Sequence, residues 1–157
     1  MLNVNETHDP NLKSWIESAN QPDTDFPIQN LPFCIYSIYS EPVLPEDYSV
    51  GVIIGDQVIN LGNFIDEVRR EFGDKIDDLV GFHFSNISFV LETLTEDYSK
   101  LRKLLVMALK EDADDQLRGA IEPFLRSISE VPLFLPFNIR DYTDFYCSIF
   151  HATNVGS

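Results

Sequence analysis

Val50-Gly51-Val52-Ile53-Ile54-Gly55-Asp56-Gln57-Val58-Ile59-Asn60 is the stretch that decides the fold. Two apolar runs rich in β-branched residues flank Gly55-Asp56, a dipeptide that tolerates the positive φ of a two-residue turn. Residues 48–60 therefore read as a β-hairpin. Toward the N-terminus, Phe33-Cys34-Ile35-Tyr36-Ser37-Ile38-Tyr39 has the same aromatic and β-branched density and reads as a further strand. Residues 26–32, with Pro27 and Pro32 fixing φ, form an extended connector. Residues 1–24 are polar and turn-rich, and are expected to be a flexible arm. Toward the C-terminus, Phe64, Ile65, Val68 and Phe72 share one helical face that Gly73 can end. Leu91, Leu94, Tyr98, Leu101, Leu105 and Ala108 recur at three- and four-residue steps, which predicts a helix over 87–110. Residues 116–126 continue in helical style until Pro123 interrupts them. The apolar run 131–137, bracketed by Pro132 and Pro136, is restricted to an edge strand or a crossing segment. Together these elements predict an α+β fold, a small sheet or barrel interrupted by a helical insertion.

Composition narrows the function classes. The 157 residues suit one domain, or one domain with part of a second. Twelve Phe and six Tyr supply a core, which argues against global disorder. Eleven basic against 26 acidic residues give a net charge of -15, so no nucleic acid and no anionic membrane surface is expected as a partner. The first residues lack a basic and then apolar stretch, so no signal peptide is expected. The longest aliphatic run, 104–109, is far too short for a membrane span. Cys34 and Cys147 are distant and form no CxxC pair, which favours reduced thiols and a cytoplasmic setting.

Several candidate clusters carry no distinctive chemistry. Asp74, Asp77 and Asp78, and separately Glu111, Asp112, Asp114 and Asp115, lack the sixth-position glycine of a calcium loop and read as solvated helix ends. His8 and His83 lie in no metal-ligand spacing. There is no glycine-rich phosphate loop and no G-x-S-x-G elbow. The segment 141–156 is different: Asp141-Tyr142-Thr143-Asp144-Phe145-Tyr146 runs through Cys147-Ser148-Ile149-Phe150 into His151-Ala152-Thr153-Asn154-Val155-Gly156. As a helix beginning near Asp144, it would put 144, 148 and 151 on one face, with Asp144 and His151 about 10 Å apart along the axis. As a strand, it would pair Asp144 with Tyr146 and turn His151 away. An Asp-capped helix carrying a surface histidine accounts for the same residues without any chemistry.

Three blocks carry a resemblance. They are Asp25-Phe26-Pro27-Ile28-Gln29-Asn30-Leu31-Pro32, the run Val50 to Gln57, and the 141–156 segment just quoted. In order and approximate spacing they resemble the N-terminal part of the fumarylacetoacetase family, over about residues 25–156. The resemblance implies a small SH3-like, partly open β-barrel with a helical insertion over 25–140, and the start of a catalytic domain over 141–157, opening on a helix. It also implies that Asp144 is a ligand to Ca²⁺ or Mg²⁺, that Tyr146 hydrogen-bonds substrate, and that His151 is the general base. The implied reaction is metal-dependent hydrolysis of a C–C bond in a β-diketo acid, giving fumarate and acetoacetate in tyrosine catabolism. The family's remaining metal ligands, its substrate-binding arginine and the glutamate that orients the histidine would all follow Ser157. The expectation is therefore a chain inactive alone, with homodimers a property of the complete enzyme. The alternative is a non-catalytic interaction or regulatory module built on the N-terminal domain.

Overall fold

The turn at Gly55-Asp56 lies at the centre of the sheet. The computed structural model describes residues 4–41, 44, 47–73, 87–135, 141, 143 and 147–156. Their regular elements are β1 (Phe33–Ser37), β2 (Tyr48–Ile54), β3 (Gln57–Asn60), α1 (Leu61–Phe72), α2 (Ile87–Leu109), α3 (Asp115–Ile121), β4 (Leu125–Ser127), β5 (Leu133–Phe134) and α4 (Ile149–Val155). The hairpin pairs Ile54 with Gln57 and Gly51 with Asn60. Gly55 supplies the positive φ, at +56°, which an L side chain rarely adopts.

The sheet has the order β4-β3-β2-β1-β5, antiparallel throughout. Among the described residues it is an open sheet with β4 and β5 as its two edges, not one closed into a barrel. The α+β class stands. Strand alternation divides the side chains between two faces. Val50, Val52 and Ile54 of β2, Ile59 of β3, and the partly buried Phe33 and Ile35 of β1 face the helices. There they meet Phe64, Ile65 and Val68 of α1, Leu101, Leu105 and Leu109 of α2, and Leu117 and Ile121 of α3. Cys34, Tyr36, Ile53 and Val58 turn to the other face and pack with Val131, Phe26 and Ile128. Cover on both faces explains why β2 is nearly continuously apolar instead of alternating. Burial of one side chain such as Phe64 contributes about 1.5–3 kcal/mol; it is fully buried. The Asn60 side chain caps α1 by accepting from the Asn63 amide at 2.9 Å.

Two segments depart from expectation. The 116–126 run is not one helix. α3 ends at Ile121, Glu122–Phe124 forms a 3-10 turn with Pro123 in it, and Leu125–Ser127 pairs with β3. Residues 4–24 are not a free arm either. Thr7, Ser14, Ile16 and Ala19 are buried. The Ser14 hydroxyl donates to the Leu109 carbonyl at 2.6 Å, and the Trp15 indole N–H donates to the Ala108 carbonyl at 3.0 Å. These are carbonyls at the C-terminal end of α2, which have no partner within the helix. The segment lacks apolar content because it docks largely through polar groups.

The hairpin turn seats on the same segment. The Gly55 amide donates to the Phe26 carbonyl at 2.7 Å, and a Cβ at Gly55 would lie 2.6 Å from the Ala19 backbone nitrogen. The Ser18 hydroxyl donates to Asp56 at 2.5 Å.

Candidate functional site

The 141–156 segment is described in part. α4 begins at Ile149, not near Asp144. Its N-cap is Ser148, whose side chain accepts from the His151 amide at 3.5 Å. The Thr153 hydroxyl bonds back to the Ile149 carbonyl at 2.7 Å. His151 therefore sits in the first turn of a short helix, with its side chain exposed. Ile149, Phe150 and Val155 are exposed beside it. Asp144 and Tyr146 lie outside the described residues. Asp141 is exposed. Among the described residues, no group of three or more His, Cys, Asp or Glu side chains could hold a metal ion.

The other candidates have structural placements. His8 ends the 3-10 turn Glu6–His8 and accepts the Asn5 amide through Nδ1 at 3.2 Å, completing a capping box. His83, Asp74, Asp77 and Asp78 lie outside the described residues. In the second acidic cluster, Asp114 caps α3 by accepting from the Gln116 and Leu117 amides. Asp112 pairs with Lys110 at 3.2 Å. Cys34 is buried and Cys147 exposed, both as free thiols. Burial pushes the Cys34 thiol up to about 12, although a hydrogen bond from the Gly51 backbone works against the shift. No described helix is long and apolar enough to cross a membrane.

Two features have no counterpart in the sequence reading. Arg102, on α2, is 5% exposed. Its Nε donates to the Thr7 hydroxyl at 2.9 Å, and its Nη2 donates to the carbonyls of Thr7 at 3.0 Å and Gln29 at 2.7 Å. A lone Arg within an amphipathic helix reads as solvated, so periodicity gave no signal for it. The second is a polar cleft of about 240 Å³ lined by Tyr36, Ser49, Asn60 and Arg126 among others. Burial raises the Tyr36 phenol there, opposed by the Asn60 amide donating to its oxygen at 3.0 Å.

Comparison with known proteins aligns almost all of the chain with one kind of enzyme. It is 37% identical over 147 residues to the fumarylacetoacetase of Dictyostelium discoideum, a match covering 92% of this chain and 33% of that protein. The fumarylacetoacetase of Caenorhabditis elegans is 33% identical over 151 residues, with the same shares covered. The Homo sapiens fumarylacetoacetase is 34% identical over 137 residues, covering 85% of this chain and 31% of its own length. No family model matches. The chain is thus similar to fumarylacetoacetases along most of its length, and it spans about a third of the length of these relatives.

Proposed function

We propose that this chain corresponds to the N-terminal portion of a cytoplasmic fumarylacetoacetase-type hydrolase. Residues 25–140 form its SH3-like domain and 141–157 open its catalytic domain. The observation that carries this reading is the 92% coverage at 37% identity. A match of that extent leaves out fewer residues than the 141–156 segment contains, so it enters the segment that bears the candidate chemistry.

In this reading His151 is the general base. Imidazole changes charge near neutral pH, and an exposed side chain on a capped helical turn can reach a water molecule. It takes a proton from water, and the resulting hydroxide attacks a ketone carbon of a β-diketo acid. The C–C bond beside that carbon breaks, and the departing carbon is protonated to give acetoacetate alongside fumarate. Tyr146 orients the substrate by hydrogen bonding one of its oxygens. Asp144, a hard oxygen donor, suits Ca²⁺ or Mg²⁺, and such an ion when bound polarises the oxygens of a 1,3-diketone. One carboxylate offers at most two oxygens where Ca²⁺ takes six to eight. The resemblance puts the remaining ligands outside this chain, so in this reading the chain alone is inactive.

The test is a chimera in which this chain replaces the matched third of the Dictyostelium discoideum enzyme. Activity is followed as loss of diketone absorbance with added Ca²⁺ or Mg²⁺. The chimera should turn over, and His151→Ala should lower kcat by about 10²-fold or more. Asp144→Ala should raise the metal concentration needed for half-maximal rate. A folded chimera without activity would refute the hydrolase reading and leave a non-catalytic module.

A further inference from the structure

Four strands set a row of polar side chains on the Cys34 and Tyr36 face of the sheet. Tyr36 pairs with Ser49, Gly51 with Asn60, and Val58, two positions before Asn60, with Arg126. Paired positions, and positions two apart along a strand, share a face, so Tyr36, Ser49, Asn60 and Arg126 stand on one side. Gly51 keeps the middle of the row clear, since a Cβ there would lie 3.0 Å from the Tyr36 ring. Across that gap the Asn60 amide donates to the Tyr36 oxygen at 3.0 Å, and the Ser49 hydroxyl bonds the same phenol. These four side chains line the cleft of about 240 Å³, together with Asp47, Tyr39 and Phe124 among others. Its two charges come from opposite ends. Arg126 stands beside Val58, near the turn of the hairpin, whereas Asp47 immediately precedes Tyr48, the first residue of β2. The Arg126 Nη1 donates to the carbonyls of Pro123 at 3.0 Å and Leu125 at 2.7 Å. A guanidinium has five donors, so these bonds hold its plane and occupy one of its nitrogens. Asp47 Oδ2 accepts from the Leu44 amide at 2.9 Å, and a carboxylate has room for further donors.

We infer that this cleft binds a small ω-amino acid, its carboxylate on Arg126, its ammonium on Asp47, and the Tyr36–Asn60 pair between them. Three observations select that class. The volume lies below the range of about 300–1,000 Å³ that takes drug-sized ligands, which limits the occupant to a small metabolite. One cation and one anion line the same cleft, which matches a zwitterion better than a simple acid or amine. A zwitterion also has no net charge, so the -15 of the chain does not repel it as it would a free carboxylate. Because the two protein charges enter from opposite ends, the ligand's own charges must be separated by a methylene chain. An α-amino acid carries both on one carbon and cannot reach both partners. Tyr39 and Phe124 supply apolar cover for such a chain.

Titration of the full 157-residue chain, followed by amide chemical shifts at low ionic strength, tests the inference. The probes are 4-aminobutyrate, butyrate, butylamine, glycine and fumarate. 4-Aminobutyrate should shift the amides of Tyr36, Ser49, Asn60 and Arg126 saturably, with a Kd of about 1 mM or lower. Butyrate, butylamine and glycine, which each lack one charge or the spacing, should bind at least tenfold more weakly. Arg126→Gln and Asp47→Asn should each weaken 4-aminobutyrate at least tenfold without changing the melting temperature. The comparison among probes is made on the parent chain, so it stands even where a variant fails to fold. Butyrate or fumarate binding as tightly as 4-aminobutyrate overturns the inference, because the site would then read a carboxylate alone. Shifts confined to residues away from the cleft, or no saturation by about 20 mM, overturn it as well.

Discussion

Truncating Arg102 should loosen the N-terminal segment around Thr7 from the domain. Arg102 is 5% exposed, and its guanidinium makes three hydrogen bonds to uncharged acceptors on Thr7 and Gln29. A hydrogen bond from a charged donor contributes about 1.5–3 kcal/mol. Because the three share one planar group they do not add fully, so Arg102→Ala should cost about 3–5 kcal/mol. That is a large part of the roughly 5–15 kcal/mol that holds a domain of this size. By contrast, the neighbouring surface pair of Lys103 with Glu6, at 2.9 Å, should contribute little, because water and salt screen exposed charges. Urea unfolding measures both costs, and amide exchange across residues 5–20 locates the damage. Arg102→Lys should rescue only part of the loss, since an ammonium cannot reproduce the fork that reaches two segments at once. A loss below about 1 kcal/mol for Arg102→Ala, or unchanged protection of residues 5–20, would refute this account of the docking.

Other substitutions probe the turn, the acid limb and the thiols. Gly55→Ala places a side chain at φ +56° against the Ala19 backbone, and should destabilise by about 1–3 kcal/mol in thermal unfolding. A silent substitution would mean the turn does not seat as described. The Asp56 carboxyl is held below the ordinary value of 3.8, first by the Ser18 hydroxyl and then by the Gln57 amide. Its contribution to stability is complete above that value and is lost as pH falls through the folded one. Asp56→Asn should therefore be less stable than the parent near neutrality, with the difference shrinking as pH falls below the ordinary carboxyl value of 3.8; a constant difference would contradict the assignment. With the Cys34 thiol up to about 12, iodoacetamide at mildly alkaline pH should modify Cys147 in the native chain and both cysteines after unfolding. Two fast-reacting native thiols would show that Cys34 is not shielded.

The sheet was legible because its signals are local. The 48–60 hairpin follows from a turn dipeptide between two β-branched runs, and the 131–137 run was limited to an edge by its own prolines. α2 was legible from spacing alone. The docking of residues 4–24 was not, because its bonds go to main-chain carbonyls at Ala108 and Leu109, about 95 residues away, and any sequence offers such carbonyls. β4 was hidden because three residues after a proline carry no periodicity. The SH3-like, partly open barrel was an expectation from resemblance, and the described strands form an open sheet. At the candidate site, the residue types at 144, 146 and 151 were recognisable only as part of a longer pattern. The local reading missed that Ser148, a common N-cap residue, starts the helix four positions later than Asp144 would.

The bonds from Ser14 and Trp15 to the end of α2 also constrain the order in which this chain can take shape during synthesis. The segment at residues 14 and 15 finds its acceptors only when residues 108 and 109, more than 90 positions later, have been added. At about 5–20 residues per second, that is an interval of roughly 5–20 s. During that time residues 14 and 15 have no α2 carbonyls to receive them, and for most of it Arg102 has not been made either. The segment around Ser14 and Trp15 is thus among the last parts of the domain to be settled, although it is made before any of the strands.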